Sequence, residues 1–391
     1  MRLDFRCLCF VVMLVPFFGA CQQKEPNYET IIYNDGTEEI VKKPTITSGI
    51  PNGKEVTILP SEWMQFYNDC NEIDHVANYY VEGSEISQPV SFVVRWSNTN
   101  PICQYTFLLA DNKEMVNPVS YDVDSTYISL EDLFAGTHYY YQIKATYEDK
   151  TVISQRFDFK TVDFFRTIRI DGVLNARDLG NKKTKDGKKR VKQGLIYRTA
   201  NFDSVTTAGK RRAIEKYHIK TDLDLREQGP TSSPLGPDVQ YINNGVGEYG
   251  SPHYVSSTYG INVAEYQVAM RDNLKVLANK DNYPLAFHCA VGRDRTGTLA
   301  VTLYLLLGID LSQIEQDYVV SFFSKACNSV SFDSYLGSLG YLIQYFKRYK
   351  GGATSDDIDV YQRAENYCLH IGLSKDEISS IRSILLEDIQ K

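Results

Sequence analysis

The residues best suited to chemistry form one run, His288-Cys289-Ala290-Val291-Gly292-Arg293-Asp294-Arg295-Thr296-Gly297. A short apolar stretch, Pro284 to Phe287, precedes it and reads as a buried strand. An apolar helix, Leu299 to Leu307, follows. A strand–loop–helix of this kind gathers backbone N–H groups at a helix N-terminus, where unsatisfied donors and the helix dipole attract a dianion. Ala290, Val291, Gly292 and Arg293 would supply the loop amides, and Gly292 lets the chain bend where a side chain would obstruct. Arg295 can fork two hydrogen bonds onto phosphate-type oxygens. The same field draws a thiol below its free pKa of about 8.5, which makes Cys289 a nucleophile poised beneath the anion. His288 would orient the loop, and Thr296 could hydrogen-bond the thiolate.

The acid that protonates a leaving group has two candidates. Asp294 lies inside the loop, and Asp224 lies near the end of the strand Thr221 to Leu225. Each also has a structural reading: a salt bridge locking the loop for Asp294, and a structural hydrogen bond for Asp224. No pair of cysteines shows C-x-x-C spacing, so neither a zinc site nor any other cofactor is expected.

The loop resembles that of the cysteine-dependent protein tyrosine phosphatases, His-Cys-x5-Arg-Ser/Thr. Residues from about 165 to the end resemble one branch more closely, the bacterial tyrosine/serine phosphatases related to atypical dual-specificity and lipid phosphatases. Asn175-Ala176-Arg177-Asp178-Leu179-Gly180, Gly194-Leu195-Ile196-Tyr197-Arg198-Thr199 and Asp224-Leu225-Arg226 are similar to its other motifs. The resemblance implies an α/β phosphatase fold, a mostly parallel central sheet flanked by helices, over 163–391. It also implies metal-free hydrolysis of phosphate monoesters through Cys289, with phosphorylated protein or phosphoinositide as substrate. The Trp-Pro-Asp tripeptide that often carries the acid in such enzymes is absent. An Asp directly before the loop Arg resembles phosphoinositide phosphatases, which favours Asp294. Arg293 stands where the branch often has Lys, so the positive charge is kept. The seven basic residues from Lys182 to Lys192 read as a solvated loop or as a positive rim for the substrate.

The remaining chain must carry and place this unit. Residues 47–162 hold short alternating runs at Ser91 to Trp96, Tyr105 to Leu109, Tyr139 to Tyr147 and Arg156 to Phe159. Leu130 to Ala145 resembles the later half of a fibronectin type III sandwich, with Tyr139 at its corner and Trp96 in its core. Residues 1–20 read as a secretory signal, and Phe18-Gly19-Ala20-Cys21 resembles a lipoprotein box. Lipidation of Cys21 and a polar tether over 21–46 would place the protein at a bacterial envelope membrane, on the periplasmic or surface face.

The 391 residues suit two domains, and 43% hydrophobic with 23% charged residues is globular composition. No interior run of 18 apolar residues exists, which excludes a polytopic membrane protein. A net charge of −7 argues against a nucleic-acid binder. Five cysteines remain after the signal and the box, with Cys70–Cys103 one conceivable disulfide. A non-catalytic envelope binding protein, attaching through the β sandwich to glycan or protein, is the alternative reading.

Overall fold

The computed structural model describes residues 45–69, 73–101, 103–148, 150–246, 261–329, 331–349 and 359–389, with two strands ahead of them. The signal, Cys21, Cys70 and Gly351-Gly352 lie outside the described residues. The chain divides into two compact units.

The first unit is built of strands. β1 (Tyr28–Ile32) and β2 (Glu38–Lys42) pair antiparallel. One three-stranded sheet runs β3 (Ile46–Ser48), β5 (Phe92–Asn98), β8 (Tyr127–Leu130). A larger sheet runs β4 (Lys54–Val56), β11 (Phe157–Thr161), β9 (His138–Thr146), β6 (Gln104–Ala110), β7 (Val119–Val123), with β10 (Thr151–Ile153) added to β9. Period-two alternation turns Tyr139, Tyr141, Ile143 and Ala145 of β9 inward, and Val94 and Trp96 of β5 do the same. Trp96 stacks on Phe107 of the other sheet at 6.0 Å, so the two sheets share one aromatic core. Cys103 is a free thiol.

The expected block 47–162 is not one continuous unit. Residues 57–91 and 131–136 belong with the second. The cause is a short helix, α1 (Ser61–Asn68), that buries Trp63 and Phe66 against Phe165 and Phe323. The Trp63 indole donates to the Ile86 carbonyl at 2.6 Å and ties the helix to the segment that follows. In sequence the single turn Trp63-x-x-Phe66 is too short for helical periodicity to stand out.

The second unit is α/β. Its sheet runs β12 (Arg166–Thr167), β13 (Arg177–Asp178), β15 (Ile196–Thr199), β18 (Leu285–His288), β16 (Thr221–Arg226), β17 (Gln240–Val246). The pairs β15–β18, β18–β16 and β16–β17 are parallel; the edge pairs β12–β13 and β13–β15 are antiparallel. Helices cover parallel strands on both faces, so Leu285, Ala286 and Phe287 are all buried. A separate ladder joins β14 (Lys189–Val191) to β19 (Leu386–Asp388).

The helices follow their sequence signals. Thr206 caps α2 (Thr207–Arg211) through Gly209 N–H, and the chain reaches Tyr217 through a wider π turn rather than one regular helix. α3 (Ala264–Ala278) turns Tyr266, Met270, Leu274 and Leu277 inward. α4 (Asp294–Leu307) is buried all round from Thr296 onward, which is why its sequence is apolar without a polar face. Gly308 ends it in the left-handed region at φ 72°. α5 (Leu311–Val319) continues into a 3-10 turn through Phe323; α6 (Phe332–Arg348) and α7 (Val360–His370) follow. α8 (Lys375–Leu385) opens with a full capping box between Ser374 and Glu377.

Candidate active site

Cys289 follows the central strand β18, and Arg293 is the residue on which α4 opens. The turn between them is held from outside by its carbonyls. Ala290 O accepts from Asn201 N at 3.2 Å and Asn201 Nδ2 at 2.7 Å. Asn175 Nδ2 lies 3.1 Å from both Val291 O and Gly292 O. Arg198 Nη2 donates to Gly292 O at 2.9 Å. A trans peptide points its C=O and N–H in opposite directions. Anchoring these carbonyls outward therefore turns the N–H groups of Val291, Gly292 and Arg293 toward the opposite side, as an anion cradle requires. Gly292 has φ 71°, and a Cβ there would stand 2.2 Å from the Thr199 carbonyl, so only glycine fits.

Behind the turn lies a buried charge cluster. Asp317 of α5 accepts from Arg177 Nε at 3.1 Å and Arg198 Nη1 at 2.7 Å, with Lys182 Nζ 3.4 Å away. Burial would raise the Asp317 pKa, but the three cations hold its carboxyl well below the usual range. Arg177 Nη1 also fixes the Asn175 amide at 2.5 Å. Asp178 accepts from Arg166 Nη1 at 2.7 Å and from the Gly180 and Gly194 amides. Arg177, Asp178 and Arg198 are thus scaffold, and Asp317, which carried no motif, anchors two of them.

Cys289 is buried, which by itself would raise its pKa. The neighbouring Thr296 hydroxyl and the Arg295 charge outweigh burial and bring the thiol below its ordinary value. Thr296 Oγ1 is buried and has no hydrogen-bond partner of its own, so its hydroxyl is available to the sulfur. Arg295 Nη1 donates to the Val246 carbonyl at 2.9 Å, which fixes the guanidinium plane. A second thiol, Cys327, behaves oppositely: burial pushes it up to about 12, so it stays protonated. It donates to Val291 O at 3.3 Å while accepting from Asn175 Nδ2 at 3.3 Å.

His288 does not reach the cradle. Its ring lies 1% exposed, with Nε2 2.8 Å from Asp222 Oδ1 and Nδ1 3.2 Å from Cys289 O. Both neighbours are acceptors, so both nitrogens donate only in the imidazolium form. The pKa agrees: burial lowers it, Asp222 raises it, and the net direction is up. His288 therefore orients Cys289 instead of binding an anion.

The two acid candidates differ in exposure. Asp294 is partly exposed and is paired with Arg293, whose Nη2 lies 3.0 Å from Oδ2. Arg293 Nη1 donates at 3.0 Å to the Cys327 carbonyl. Asp224 is fully buried and accepts from Arg226 N at 2.9 Å, Arg226 Nε at 3.0 Å and Tyr241 Oη at 3.1 Å. Those bonds give it the structural role.

The basic run is not a rim of this site. Lys185 N donates to Gly308 O beyond the last turn of α4. The 14 residues of α4 separate that end from the loop by roughly 20 Å. Lys189 pairs with Asp388 at 2.9 Å and Arg190 with Glu387 at 2.7 Å, while Lys182 is buried on Asp317.

Fold and site together define an α/β protein with a buried cysteine in the turn between a central parallel strand and α4. A sequence profile of the tyrosine phosphatase family matches residues 168–387, more than half of the chain, and the chain belongs to that family. A Cupriavidus necator protein provisionally named a tyrosine-protein phosphatase is 27% identical over 39% of this chain and 62% of its own length. A Nostoc commune tyrosine-protein phosphatase is 25% identical over 32% of this chain and 47% of its own. The chain thus spans roughly half to three fifths of the curated relatives it matches. Among solved structures, TpbA of P. aeruginosa matches at 14% identity and a TM-score of 0.30, over 49% of this chain and 96% of that one.

Proposed function

We propose that the second unit hydrolyses phosphate monoesters, phosphotyrosine of proteins first among them, through a phosphocysteine at Cys289. The observation that carries this is the buried Cys289 at the foot of a turn whose carbonyls are anchored outward by Asn175, Arg198 and Asn201, and the direction of its pKa agrees. The cradle amides and Arg295 bind the phosphoryl oxygens. The Cys289 thiolate attacks phosphorus, the bond to the leaving oxygen breaks, and Asp294 gives that oxygen its proton. Water then attacks the phosphocysteine, Asp294 takes the water proton, and the S–P bond breaks to return thiolate and inorganic phosphate. The choice of phosphotyrosine rests on the names of the curated relatives.

The test is hydrolysis of an aryl phosphate in the presence of a chelator by wild type and Cys289→Ser. Loss of turnover in the variant is expected; retained turnover removes the mechanism. A panel of phosphotyrosine peptides, phosphoserine peptides and phosphoinositides then ranks substrates, and a preference for lipid headgroups would overturn the phosphotyrosine assignment.

The first unit is proposed to be a fibronectin type III-like spacer, supported by its strand order and by Trp96 in the core. Lipidation at Cys21 is proposed to hold the protein at the envelope, supported by the Phe18-Gly19-Ala20-Cys21 box. Labelled fatty acid incorporated by wild type and equally by Cys21→Ser would contradict it.

A further inference from the structure

The family match begins at residue 168, yet part of the catalytic unit comes from far upstream. Residues 83–87 run alongside the turn 323–328 and are laced to it. Ile86 N donates to Phe323 O at 2.8 Å. Gly83 N donates to Asn328 Oδ1 at 3.0 Å, and Asn328 Nδ2 donates to Ser84 O at 2.9 Å. Glu85 Oε2 accepts from Ser324 Oγ at 2.9 Å and Lys325 N at 3.2 Å.

These bonds are a requirement of the turn. Ser324 and Asn328 are buried, and a buried polar group without a partner costs about 1–3 kcal/mol. Both polar atoms of the Asn328 side chain find their partners in the upstream segment. The same turn touches the phosphate loop from its other side. Cys327 Sγ donates to Val291 O at 3.3 Å, and Cys327 O receives Arg293 Nη1 at 3.0 Å. Arg293 is thereby strung between Cys327 and the Asp294 carboxylate.

We propose that residues 83–87, through their hydrogen bonds to Ser324, Lys325 and Asn328, are a positioning brace that fixes the Arg293 and Asp294 side chains of the phosphate loop. The brace comes from outside the segment that the family profile matches. Glu85 and Asn328 are its positioning residues; neither touches substrate. The proposal rests on the phosphatase reading and on Asp294 as its acid. An acid displaced from the leaving oxygen costs most where that oxygen most needs a proton, so the signature is leaving-group dependence.

The experiment compares wild type with Glu85→Ala/Asn328→Ala in the full chain on aryl phosphates of graded leaving-group pKa. Expected is a loss in kcat of about tenfold on the poorest leaving group and less than about twofold on the best, with KM unchanged. Glu85→Gln, which keeps an acceptor oxygen, should recover most of the loss. Hydrogen exchange of the peptide spanning 289–297 gives a reading free of turnover, and it should quicken in the double variant. An equal loss across the series, or no loss with unchanged exchange, overturns the brace. Cys289→Ser, measured alongside, separates this from failure of the phosphatase reading: turnover retained there removes the chemistry, and the exchange result still decides the brace.

Discussion

Replacing Asp317 by Asn removes one negative charge and leaves Arg177, Arg198 and Lys182 packed together without it. All four side chains are at most 5% exposed, so water cannot take the place of the carboxylate. Breaking a buried ion pair by removing one partner costs about 3–5 kcal/mol. For a unit of this size each kcal/mol lowers Tm by roughly 2–4 °C, so Asp317→Asn should melt roughly 6–20 °C below wild type. The assay is thermal unfolding followed by circular dichroism between pH 3 and pH 8. Asp317 has a folded pKa held far below the ordinary carboxylate value of about 3.9. Its stabilisation is therefore fully present above that unfolded value and is lost as pH falls toward the folded one. The gap between wild type and variant should be flat from about pH 5 upward and shrink below about pH 4. Because Arg198 also holds the Gly292 carbonyl, kcat should fall by about tenfold at a temperature where the variant is still folded. A Tm within about 2 °C of wild type at neutral pH, or a gap that widens on acidification, would show that Asp317 does not stabilise the three cations.

Three further outcomes follow from the geometry. The Cys289 thiol should alkylate with iodoacetamide along a pH curve whose midpoint lies below the free value of about 8.5, and Thr296→Val should move that midpoint up; an unmoved midpoint would show that the hydroxyl is not bonded to sulfur. Gly292→Ala forces a side chain into the Thr199 carbonyl at positive φ, so kcat/KM should drop by about a hundredfold or more while the protein still folds, and wild-type kinetics would disprove the tight approach. Trp63→Ala removes a side chain packed on Phe165 and Phe323 and should destabilise the catalytic unit by about 3–5 kcal/mol, read in chemical denaturation; a cost below about 1 kcal/mol would return residues 57–91 to a mere connector.

The parts of the site legible in the sequence are those that announce themselves locally. The loop from His288 to Gly297 and the apolar α4 each combine residue types whose spacing points to one arrangement. The α/β sheet was legible through the resemblance that this loop and its companion motifs carry. What escaped was partnership between distant positions. Asp317 sits on a short helix with no motif around it, and only the fold brings Arg177, Arg198 and Lys182 to it. The Lys182–Lys192 run looked like one electrostatic feature. Folding sends Lys182 into the core and pairs Lys189 and Arg190 with acids near the chain's far end. His288 is held by Asp222 on a neighbouring strand, a partner that no local spacing points to. Residues 57–91 were absorbed into the β block because the helix inside them is too short to show a period.

A covalent phosphoryl group on the Cys289 sulfur can be read directly by acid-quenched turnover. Wild type mixed with a good aryl phosphate and quenched in acid should show the mass of one phosphoryl group on the peptide holding Cys289, with none in Cys289→Ser. Asp294→Asn should retain that adduct longer, because Asp294 is also the base that helps water remove it. Turnover with no adduct at Cys289, or an adduct on another residue that survives Cys289→Ser, would contradict the account.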